Sequence, residues 1–126
     1  MSVDSDLVAR LTGHAGLTAL IVARLFPNRL PDNPTVPAVV YQKITDVPDV
    51  GQKSIANKRH RYQLTSWAAT HLEAGAVEAQ VHAALQLRAF GRVILAEPAG
   101  SRDTYERDAH LHGRIADYLL YQTDFT

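Results

Sequence analysis

Lys58-Arg59-His60-Arg61-Tyr62-Gln63-Leu64-Thr65-Ser66-Trp67-Ala68-Ala69-Thr70-His71-Leu72-Glu73 begins in one periodicity and ends in another, and that handover decides the fold. From Arg59 to Ala68 the residues alternate, with Tyr62, Leu64 and Ser66 on one side and Arg61, Gln63 and Thr65 on the other. A period of two is that of a half-buried strand. Thr70 followed three residues later by Glu73 fits a capping box, in which the cap hydroxyl accepts from the third helical amide and the glutamate reaches back. Beyond it Ala74, Val77, Val81, Ala84 and Leu85 fall on one stripe at helical spacing, predicting a helix over 71–88 with a small-residue face suited to close packing on a sheet.

Outward from this junction, Ala38 to Thr45 is β-branched and aromatic between turn formers, which predicts a strand antiparallel to the one at 59–68. Residues 46–57, with Pro48 and Gly51, read as a long connector. Upstream, Asp4 or Ser5 can cap a helix carrying Leu7, Val8 and Leu11; Gly13 and Gly16 break it before the apolar run Leu17 to Leu25. Four prolines between Pro27 and Pro37 predict a loop. Downstream, Arg92 to Glu97 reads as a short strand, Pro98 to Asp108 as a polar loop, and His110 to Gln122 as a long strand. The order α, a possible short strand, β, β, α, β, β implies a single domain spanning 1–126, an α+β two-layer sandwich. Its sheet is mainly antiparallel, of about four strands, with helices on one face.

That last strand carries apolar side chains on both faces: Ala116, Tyr118 and Leu120 on one, Ile115, Leu119 and Tyr121 on the other, interrupted by Asp117. Helices cover one face of a two-layer domain, so the second set needs another cover. Ile115, Leu119 and Tyr121 are therefore candidates for a subunit interface, the alternatives being an open apolar patch or a cover supplied by the proline-rich loop. Trp67 is expected to be structural, together with Tyr62, Leu64, Thr70 and Glu73.

The 126 residues hold 13 basic and 13 acidic side chains, so no overall basic excess drives nucleic-acid binding. Charge is local instead: residues 58–61 carry three positive charges and no negative one. Without cysteine there is no disulfide, no thiolate chemistry and no cysteine-ligated zinc. The acidic N-terminus lacks a signal-peptide pattern and no run approaches about 18 apolar residues, so no membrane association is expected and the chain is expected to be made in a cytoplasm. His110-x-His112 could supply half of a metal site, but no third ligand is evident and Arg114 shares its face. No phosphate loop, nucleophile elbow or zinc-protease motif occurs, and Ser101 to Asp108 reads as a solvated turn. No catalytic, cofactor-binding or metal-ligating residue is assigned, and no cofactor is expected.

Pro37-Ala38-Val39-Val40-Tyr41-Gln42, then Tyr62 to Thr70 with the alanine-rich helix, then Arg102-Asp103-Thr104-Tyr105-Glu106, and finally Arg114-Ile115-Ala116-Asp117-Tyr118, come in an order that resembles the tail completion or tail terminator proteins of long-tailed bacteriophages and phage-like gene transfer agents. The resemblance runs over nearly the whole chain. It implies a virion structural protein, not an enzyme, that forms a ring, usually six-fold, which ends the tail tube and meets the head connector. The implied partners are further copies of itself, the tail tube protein and the head-tail connector protein, at the tail end of the virion after assembly in the host cytoplasm. On this reading Lys53, Lys58, Arg59 and Arg61 lie near the lumen or a partner surface, where arginines could touch passing DNA without sequence specificity. The main alternative is a small single-stranded nucleic-acid-binding module that uses the basic strand start at 58–61; a small enzyme of the same architecture stands behind it.

Overall fold

A computed structural model describes residues 2–48 and 58–122. Three helices, α1 (Val3–Thr12), α2 (Ala15–Ile21) and α3 (His71–Leu85), lie on one face of a sheet built from β1 (Leu25–Pro27), β2 (Ala38–Pro48), β3 (Lys58–Ala68), β4 (Val93–Glu106) and β5 (Leu111–Gln122). The strand order is β1-β2-β3-β5-β4. The sheet is mixed: β1 runs parallel to β2, and every other pair is antiparallel. This corrects the expected sheet of about four strands to five, because Leu25, Phe26 and Pro27 at the start of the proline-rich segment line up with Val39, Val40 and Tyr41. A proline at the end of an edge strand costs no ladder hydrogen bond.

The core lies between the helices and one sheet face. Leu7 and Leu11 of α1, Leu17 and Ile21 of α2 and Val77, Val81 and Leu85 of α3 meet Val39, Tyr62, Leu64, Tyr118 and Leu120, all buried. Burying each large apolar side chain contributes about 1.5–3 kcal/mol. Polar ties fix how the layers sit. Asp6 on α1 accepts from the backbone N–H and guanidinium of Arg92, both at 3.0 Å, holding the turn that leads into β4. Arg114 on β5 reaches Glu78 on α3 at 3.0 Å and Asp103 on β4 at 2.5 Å.

Several boundaries move. The N-cap of α1 is Ser2, whose hydroxyl accepts from Ser5 N–H at 3.2 Å while the Ser5 side chain reciprocates, so Asp4 and Ser5 both lie inside the helix. Thr70 caps α3 as expected, accepting from Glu73 N–H at 3.1 Å, but the Glu73 carboxylate accepts from Ala69 N–H one residue further back. That helix ends at Leu85, and Leu87 takes a left-handed φ of 54°. Residues 46–48 extend β2 instead of starting the connector, whose remaining residues lie outside the described ones. The expected polar loop at 98–108 is largely strand, since β4 continues through a register shift between Pro98 and Ser101 as far as Glu106. An edge strand exposed on both sides carries no alternation to betray it.

Candidate functional surface

The sheet face without helices brings together six of the singled-out side chains. Strand alternation and register settle which ones: Arg59 pairs with Tyr121, Arg61 with Leu119, Gln63 with Asp117, Thr65 with Ile115 and Trp67 with Gly113. Side chains of directly paired residues share a face. The candidate interface residues Ile115, Leu119 and Tyr121, and two of the candidate lumen residues, Arg59 and Arg61, therefore form one surface. Lys58 pairs with Gln122 and alternates to the helix side, where it is exposed. Lys53 lies outside the described residues.

Ile115, Leu119 and Tyr121 are each half-buried within this single chain, with polar side chains beside them. The Arg61 guanidinium donates to Asp117 Oδ2 at 2.7 Å. Asp117 is buried although it lies on the open face, and its other oxygen has no hydrogen-bond partner among the described residues. Tyr121 donates to Glu97 Oε1 at 3.0 Å. Burial first, then the Glu97 carboxylate, pushes the Tyr121 hydroxyl above its ordinary pKa, and Arg59 pulls the other way. Thr45, Arg59, Arg61 and Leu119 enclose a small hollow of about 270 Å³ at this end.

The other end of the same face is roofed. Residues 28–34 of the proline-rich segment lie over Val40, Gln42, Thr65 and Trp67, leaving a cleft of about 420 Å³. Trp67 is half-buried there, and its indole lies across Gly113: a Cβ at that position would sit 2.9 Å from Cζ3 of the ring and 2.7 Å from Thr104 Cγ2. Of the three covers considered from sequence, the loop thus serves the Trp67 end of the face, while among the described residues nothing roofs the end holding Arg59.

Tyr62 and Leu64 are buried on the helix side, and Thr70 and Glu73 sit at the start of α3. Sequence reading missed Asp117 as the partner of Arg61, since a lone acid within an apolar strand looks like an interruption. It also missed Gly113, whose position in mid-strand was the available signal of a close approach. His110 falls in a turn at φ 55° with Tyr105 Oη 3.2 Å from its Nδ1, and only His112 is on the strand, so the two histidines do not line one strand face. No group of three or more His, Asp or Glu able to hold a metal exists among the described residues. Elsewhere His82 is hydrogen-bonded to Tyr118 at 2.9 Å and Glu78 is held by Arg114, so both are engaged in joining α3 to the sheet.

No curated protein matches the chain. Among solved structures, it is similar to a chain of the "Virion of native gene transfer agent (GTA) particle", with a TM-score of 0.74 and 17% identity over 98% of this chain and 96% of that one, a likeness of fold. The family model described as "Tail completion protein gp17" matches residues 5–122, and with all three helices and all five strands touched by that match the chain belongs to the tail completion protein family.

Proposed function

We propose that this protein, a structural protein of a phage-like tail, assembles as a closed ring, six-fold as is usual for the family, at the end of the tail tube, where it stops tail growth and forms the joint to the head connector. The family match across residues 5–122 carries this reading. The ring's partners are further copies of the chain, the tail tube protein and the connector; its place is the tail end of the virion, after assembly in the host cytoplasm.

Within the ring, the helix-free face looks into the bore. Because Arg59 and Arg61 share that face with Ile115, Leu119 and Tyr121, one surface cannot be sealed between copies and also line a passage. The burial of the apolar set within one chain favours the passage: Ile115, Leu119 and Tyr121 are half-buried without any partner chain, and beside them Arg61 pairs with Asp117 and Tyr121 with Glu97. Arginines in a bore can touch the phosphates of DNA weakly and without sequence preference. A stand-alone single-strand binder is disfavoured by the same geometry. The basic run 58–61 splits between the two faces, its His60 is buried, and Trp67 lies beneath the proline-rich loop, so no continuous basic and aromatic groove is formed among the described residues.

The test is Leu119→Asp, measured by mass in solution with and without the tail tube protein. A bore-facing Leu119 predicts a folded chain that still forms rings. A folded chain that no longer forms them would return Ile115, Leu119 and Tyr121 to a subunit interface.

A further inference from the structure

Both long edges of the sheet are covered over part of their length and open over the rest. On β2, β1 pairs with Val39, Val40 and Tyr41, and among the described residues nothing pairs with the outer edge at 42–48. On β4, the turn after α3 covers the start: Leu87 N–H donates to Ala96 O at 2.8 Å, Ala96 N–H to Arg88 O at 3.0 Å, and Phe90 bridges Val93. Beyond that, 98–106 is open among the described residues. Unpaired strand edges are templates for another strand, and proteins that remain single blunt them with inward charges, bulges or covers. Both open stretches carry an irregularity, between Lys43 and Thr45 and between Pro98 and Ser101, yet each also carries a large exposed apolar side chain: Ile44, 46% exposed, and Tyr105, 50% exposed.

We propose that neighbouring copies join edge to edge, with 99–104 of one copy pairing antiparallel to 42–48 of the next, so that the sheets run on around the ring; this rests on the ring reading above. A closed ring of identical copies needs two different, complementary surfaces on each one, and the two edges of a single sheet are such a pair. Strand directions agree. Following the ladder from β2 through β3 and β5 to β4 reverses direction at each step, so β4 beside the next copy's β2 continues the antiparallel pattern.

The offset agrees as well. Thr45, central in the open stretch of β2, is level with Arg61, while Arg102, central in that of β4, is level through Ile115 with Thr65. Four residues of strand amount to about 13 Å, against about 19 Å for the four strand spacings a copy contributes. Joining the stretches without a step between copies then inclines the strands by about 35°, within the tilt a closed sheet requires. In this register Thr45 and Arg102 meet on the helix-free face, and with Ile44 passed over, as it is against β3, Lys43 comes opposite Asp103.

The chain has no cysteine, so Thr45→Cys and Arg102→Cys, both at exposed positions, report the contact cleanly. Within one copy the two sites are separated by about 19 Å, counting strand spacings and offset, far beyond the roughly 7 Å that a disulfide spans. Mild oxidation of the double variant under ring-forming conditions should give a ladder of covalent oligomers that closes at the mass of the unmodified ring, and a mixture of the single variants should give covalent dimers. Rings without cross-links overturn edge pairing and leave the ring; a chain that stays monomeric with the tube protein present overturns both. A second readout needs no substitution. Amide exchange across 99–104 should slow on ring formation, and unchanged exchange in assembled rings contradicts the pairing.

Discussion

At Gly113 one hydrogen decides how the open face is built. The indole of Trp67 and the methyl of Thr104 close over it from either side, at distances that leave no room for a Cβ. Gly113→Ala should therefore lower stability by about 1–3 kcal/mol, as overpacking does, and a thermal or denaturant melt would show it; an unchanged melt would mean that Trp67 moves freely. On the helix side, burial and the nearby Glu78 carboxylate push the Tyr118 hydroxyl well above the usual tyrosine range. Its neutral form is thus favoured by folding. The corresponding stability is complete below the ordinary pKa of about 10 and is lost as pH rises beyond it, while the folded protein resists ionisation. Tyr41 and Tyr121 shift in the same direction. Tyr118→Phe keeps the ring but loses the contact with His82, so it should cost about 1 kcal/mol at neutral pH and flatten the loss of stability above about pH 10. Denaturant titrations at the two pH values would check both parts.

Among the elements, α3 is the one whose start is most cheaply tested. Thr70→Ala removes the acceptor for Glu73 N–H and should cost about 1 kcal/mol, whereas Thr70→Ser should be nearly neutral; equal losses would show that the cap is not what holds the helix start. This helix and β3 were legible because each shows a single clear period: 3.6 along Val77, Val81 and Leu85, two along Tyr62 and Leu64. Where two influences overlap, local sequence misleads. The second half of β4 is polar on both faces, contains Pro98 and Gly100, and skips register, so its strand state comes from the long ladder with β5 and not from its own residues. Leu25 to Pro27 is too short to show a period, and parallel pairing with β2 alone makes it a strand. Of the open face, Ile115, Leu119 and Tyr121 were visible by alternation. That Arg59 and Arg61 join them follows from the register between β3 and β5, which no single stretch encodes.

For the molecule as a whole, formal neutrality and patchwise charge suit docking among a few defined partners. Among the described residues the sheet presents a face where apolar and polar side chains mix and two half-open edges, while the helices cover the opposite side. The proposed ring would use each of these: edges for neighbours, the open face for the bore, the helical side outward. If the bore carries DNA, Arg59→Gln should weaken retention of DNA by assembled rings and reduce its salt dependence without altering ring mass; retention that is indifferent to salt would contradict a phosphate contact. Ring formation itself is decided by the mass of the protein in solution with the tail tube protein present, followed by imaging of the particles. A single closed species of uniform mass is expected, six copies on the family's usual symmetry, whereas a chain that remains monomeric under all conditions, with the tube protein added, would contradict the ring.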